Sequence, residues 1–274
     1  LIVLIWVLPL NLLAIALGNI AVKNVEEKAR TSMEFVMHNY MEETEQQLAE
    51  TDYLIYSMLR SNSDAMIMDR QEGGYDYEIS KNRFYKTFLN MFTVANVSDG
   101  SFYYLALQDD LLIWDKNLGN ISRTTMEQYI WDEIIDSDCT GWFFSESPQP
   151  LLWHVNRNPA ACYGGMASLN EAGQRMQKEL PYRISQVTFT AQPAEGTKEE
   201  LTVSIYWKRP GIWLNVAVSQ EEVSGSIEGM SAVMRYTVIA ALFLLPLFYL
   251  LIFKLLVVPL KTINKAHEAI ENGD

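Results

Sequence analysis

The sequence predicts an α+β fold in which antiparallel sheets are built on a long N-terminal helix. Three observations predict it. From Val22 to about Ser61 the chain contains no Gly or Pro and is rich in Glu, Gln, Ala, Met and Leu, which favours one continuous helix. Later, short runs of β-branched and aromatic residues alternate with turn signals, most clearly over 201–207 and 212–218, as in antiparallel strands with one buried face. Finally, the two ends are lipid-like: 1–22 and 236–258 are almost wholly apolar and long enough to span a bilayer.

The expected elements follow in order. The opening apolar run reads as a retained transmembrane helix over 1–22, in preference to a signal peptide cleaved near Ala14-Ile15-Ala16. The helix that continues from it carries a stripe at Ala29, Met33, Val36, Tyr40, Leu48, Ile55 and Leu59. That stripe suits packing on the chain's own domain or a dimer seam. Residues 62–82 are polar and contain Gly73-Gly74, so they read as a loop. A helix with Phe84, Phe88, Met91 and Phe92 on one side is expected over 83–97.

Strands Phe102–Leu107 and Leu111–Trp114 flank Gln108-Asp109-Asp110 as a hairpin. A helix is expected from Thr124 to Ile135, then strands at 142–144, 151–155 and 161–167. Gly164-Gly165 in the last of these marks a close approach or a bulge. A helix over 170–180 precedes strands at 186–190, 201–207 and 212–218. An exit helix, 220–235, leads to a second span over 233–258, and a heptad-like helix over 259–274 has Leu260, Ile263, His267 and Ile270 on its seam. The mixed domain thus occupies 23–232.

The net charge of −13 argues against a nucleic-acid surface, which needs clustered Lys and Arg. Lys254, Lys261 and Lys265 near the second span place the C-terminal side in the cytoplasm and the acidic middle outside. The two cysteines, Cys139 and Cys162, exclude a disulfide scaffold. One bridge between them is geometrically open if their strands are neighbours; the alternative is two half-buried thiols. No His or further Cys stands at ligand spacing, so no metal site is expected. Nor is there a Gly-x-Ser-x-Gly elbow, a His-Glu-x-x-His or a P-loop, and catalytic residues are not expected.

The order span, long helix, mixed domain, exit helix, span and juxtamembrane helix resembles bacterial membrane receptors with an extracytoplasmic Cache (PAS-like) sensor domain. The tail from Pro259-Leu260 to Gly273-Asp274 resembles the first helix of a HAMP linker. The stretch Leu151–Leu169, with Asn156-Arg157-Asn158 and then Tyr163-Gly164-Gly165, is similar to the sensor domains of YesM-type histidine kinases. Gly165-Met166 departs from that pattern, where an aromatic often follows a small residue.

The resemblance implies the input half of a two-component sensor histidine kinase. It implies a multi-pass cell-membrane protein, a homodimer, and a cognate response regulator as partner of the output domains. It also implies an extracytoplasmic small solute, such as a sugar, as ligand. ATP and Mg are implied only for the kinase core, and no cofactor for the residues here. A chemoreceptor or cyclic-dinucleotide enzyme sensor is an alternative output, and a membrane-tethered binding protein is a non-signalling one. Trp114, Trp142 and Trp153, with Asp115, Arg157 and Tyr163, are the candidate ligand-binding residues, because aromatic faces stack on rings and a few polar anchors orient a solute. Pro259, Leu260, Ile263 and Ile270 are the candidate signal-transmission residues.

Overall fold

The computed structural model describes residues 2–70, 73–94, 101–106, 111–114, 121–136, 139–147, 149–158, 161–197 and 199–225. In the C-terminal segment it describes 236, 239–240, 243, 246–247 and 249–261. The chain divides into two compact units, Arg30–Ser219 and, separately, Leu1–Ala29 with Gln220–Asp274.

Among the described residues, no helix is long and apolar enough to cross a membrane. This overturns the two spans expected over 1–22 and 233–258, and with them the multi-pass localisation and the inside–outside topology. Helix α1 runs from Ile2 to Ser61 through Lys23, Glu26, Glu27, Lys28 and Arg30, so the apolar stretch is the opening of a longer and largely polar helix. Toward the other end, too, the described residues include no helix of that length and apolarity.

In the larger unit α1 buries Met33, Val36, Met37, Tyr40, Met41, Leu48, Ile55 and Met58. These recur every three or four residues and form one stripe. Two polar side chains fall on it, and both are satisfied locally: Thr44 and Thr51 donate to the carbonyls of Tyr40 and Gln47, one turn earlier.

The segment expected as a loop contains a short helix, α2 (Ser63–Met68), and the start of α3 (Tyr75–Val94). Asn62 makes α2 possible: its Oδ1 accepts from the amides of Asp64 and Ala65, satisfying N–H groups that a helix start leaves unpaired.

Two antiparallel sheets follow. The first comprises β1 (Ser101–Ala106), β2 (Leu111–Trp114), β3 (Gly141–Ser145), β4 (Leu151–Asn158) and β5 (Ala161–Ser168), in the order β2-β1-β5-β4-β3. The expected hairpin is present, with Phe102 opposite Trp114. Between β2 and β3 lies α4 (Arg123–Tyr129), capped by Ser122 and running into a π-helical turn over Ile130–Ile135.

The two faces of this sheet carry separate cores. On one face Tyr104, Ala161 and Tyr163 meet Ile55 and Met58 of α1, Ala65 and Met68 of α2, and Tyr77, Phe84 and Phe88 of α3. On the other, Tyr103, Leu151, Trp153, Val155, Cys162 and Met166 meet Met126, Ile130 and Ile134. The period of two along each strand assigns residues to faces, so Trp153 and His154 point opposite ways.

After α5 (Ala172–Gln177) the second sheet contains β6 (Ile184–Thr190), β7 (Glu200–Trp207) and β8 (Ile212–Ser219), ordered β6-β8-β7. Expected as a one-faced strand, β8 is instead buried from Leu214 through Val218, because it is the central strand. Gly211 closes the β7–β8 turn at φ +73°, a left-handed conformation that a side chain would strain, and its N–H donates to the Trp207 carbonyl.

Helix α1 touches this sheet through Tyr40, whose ring meets Trp207 edge-on at 6.3 Å. Burial pushes the Tyr40 phenol up to about 12. The folded chain therefore holds this proton more tightly than the unfolded chain does. The resulting stability is fully present below pH 10 and is lost as pH rises from 10 towards 12. Denaturant titrations across that range should show a steeper alkaline loss in the native chain than in Tyr40→Phe. The difference should reach about 2–3 kcal/mol, and equal slopes would refute the assignment.

Candidate functional site

The residues expected to form one pocket are dealt to opposite faces of the first sheet. Trp153 is fully buried on the α4 face, stacked on Phe143 at 5.8 Å and on Tyr129 at 5.3 Å, and its Nε1 donates to Ser145 Oγ at 3.1 Å. It is a core residue. Arg157 also lies on that face, and its guanidinium donates to the carbonyls of Ile134, Ile135 and Cys139. A helix end leaves such carbonyls without partners, so Arg157 closes the π-helical turn. Trp142 and Tyr163 lie on the opposite face. Trp114 is in β2, but its side chain and all of Asp115 lie outside the described residues.

Cys139 and Cys162 are thiols, with no disulfide between them. Among the described residues no group of His, Cys, Asp or Glu could hold a metal ion. Pro259 and Leu260 are helical and exposed, whereas Ile263, His267 and Ile270 lie outside the described residues. A π-helical turn over Phe253–Val257 precedes Pro259, closed by a bond from the Val258 amide to the Phe253 carbonyl. Proline lacks an N–H and crowds the carbonyl four residues back, and the wider turn accommodates it.

The α1 face of the first sheet holds a polar seam that the sequence did not signal. Asp52 of α1 contacts Nδ1 of His154 on β4 through Oδ2, while its other oxygen is buried and has no hydrogen-bond partner among the described residues. The His154 ring lies 4.6 Å from the Trp142 indole. Arg209, in the β7–β8 turn, stands 5.3 Å from the centre of that indole. The same arginine pairs with Glu45 of α1 at 2.9 Å, and Glu45 also accepts from Trp207 Nε1 at 2.7 Å. Burial, then the charges of Asp52 and Tyr56, raise the Tyr163 phenol on this face.

Gly165 lets α1 lie close. A Cβ there would sit 2.9 Å from Leu48 Cδ2 and 3.2 Å from Thr51 Cγ2. One helix is thus fixed by polar contacts to both sheets within two turns, from Glu45 to Asp52.

At the end of α1 a groove of about 530 Å³ opens against α3. Its walls are Ser57, Met58, Ser61 and Asn62 on one side and Thr87, Asn90 and Met91 on the other. A volume in this range suits a small molecule. The arrangement places a solute-sized groove and a two-sheet polar seam on the same helix, one to three turns apart. No protein-family model matches the chain, and no curated protein matches it.

Proposed function

We propose that this chain is a solute-sensing and signal-relaying module, the input portion of a sensor histidine kinase. A small solute binds in the α1–α3 groove, and α1 carries the consequence to the Asp52–His154 and Glu45–Arg209 contacts. The observation that supports this reading is the continuity of α1. The helix supplies one wall of the groove and, without a break, the carboxylates that hold both sheets.

A ligand shifts an equilibrium only by its difference in affinity between two states. The Asp52 carboxylate, half-satisfied among the described residues, lowers the cost of leaving this arrangement, because an unpaired buried oxygen weakens it. A small slide of α1 along the sheet, of the roughly 1–2 Å common for shifting helices, would exchange its partners.

Hydrogen exchange on the whole chain tests the relay. A ligand found by thermal-shift screening should alter exchange at the groove and also along 44–56 and β4. In Asp52→Asn the ligand should bind within about twofold of native affinity, since the groove is untouched, while the distant change disappears. A change confined to the groove in the native chain would sink the relay.

A further inference from the structure

The groove between α1 and α3 has a lining that selects for a chemical class. None of its seven residues carries a charge. A charged ligand would lose hydration there without gaining a counter-ion. None is aromatic either, so a sugar would find no ring face to stack on. The accessible apolar surface comes mainly from the half-buried Met91, since Met58 beneath it is buried in the core, and thioethers make favourable contacts with aromatic rings.

The polar groups offer both polarities. Asn62 Oδ1 is engaged by the amides of Asp64 and Ala65 at 2.8 and 3.4 Å, so this residue presents its Nδ2 donor. Ser61 gives its proton to the Ser57 carbonyl at 2.8 Å, so it presents an acceptor oxygen. The exposed Asn90 carries a donor and an acceptor side by side. Such a rim matches a planar ring whose edge also alternates donor and acceptor.

We infer that the α1–α3 groove binds an uncharged, flat heteroaromatic solute of the nucleobase class. Its face lies on Met91 and its polar edge meets Asn90 and Asn62. The inference rests on the sensor reading for its purpose, and on the groove alone for its existence.

Calorimetric titration of the full chain with adenine, uracil and glucose tests it. Adenine or uracil should bind once per chain and glucose should give no heat. Asn90→Ala should weaken the heterocycle about tenfold with an unchanged melting temperature, since the side chain is exposed. Absence of binding by both heterocycles at millimolar concentration, equal binding of glucose, or an unaltered affinity in Asn90→Ala each overturns the assignment. If a heterocycle binds as stated but exchange beyond the groove is unmoved, the relay fails and the site stands. If glucose alone binds and exchange moves along α1, the class of ligand fails and the relay stands.

Discussion

Gly164→Ala is expected to abolish folding of the sheet unit. A Cβ at this position would lie 1.8 Å from the His154 carbonyl oxygen and 2.9 Å from its carbon. Both are backbone atoms of the neighbouring strand, where His154 pairs with Gly165 and Val155 with Gly164. No rotamer change relieves such a contact, so β4 and β5 would have to part at the middle of the sheet. Tyr103 Oη, 3.0 Å from the same point, closes the remaining space.

The cost should exceed about 4 kcal/mol, the range reserved for the most disruptive substitutions, against a typical total of about 5–15 kcal/mol. Gly165→Ala is the control. The nearest atoms its Cβ would meet belong to the Leu48 and Thr51 side chains and not to backbone, and such overpacking costs about 1–3 kcal/mol. Urea unfolding followed by tryptophan fluorescence should show a cooperative transition for Gly165→Ala and none for Gly164→Ala. A Gly164→Ala midpoint near the native one would mean that β4 and β5 do not pack as described.

These neighbouring glycines show what was legible in the sequence. The pair announced a close approach, and the residue types announced strands on both sides. Which glycine faces a backbone and which faces a side chain depends on register, which no local pattern carries. The hairpin at Phe102–Trp114 was legible because its turn and both strands lie within a few residues. The α2 helix was not, since six residues make no periodic signal and its start depends on one Asn62 cap.

The Asp52–His154 contact joins positions 102 apart in sequence, and the groove joins the end of α1 to the C-terminal half of α3. Both are products of packing. The apolar ends misled in another way: their composition suits a span, yet no described helix is long and apolar enough to cross a membrane.

Trp153→Ala then separates a core aromatic from a ligand-facing one. The candidate tryptophans looked equivalent in sequence, yet Trp153 is fully buried among Tyr103, Tyr129 and Phe143. Removing it leaves a large cavity and takes the Nε1 donor from the Ser145 hydroxyl, which keeps Tyr129 as a partner. Truncations of this kind cost about 3–5 kcal/mol. Trp142 is only partly buried, between His154 and Arg209, and Trp142→Ala should cost roughly half as much or less.

The two variants should also differ in kind. Trp153→Ala should lower the unfolding midpoint while the protein that remains folded binds solute with native affinity, because the α4 face is remote from the groove. Trp142→Ala should leave affinity intact and blunt the exchange response at β4, because it removes the ring that His154 rests on. A Trp153→Ala protein of native stability with impaired binding would restore that tryptophan to the ligand and remove it from the core.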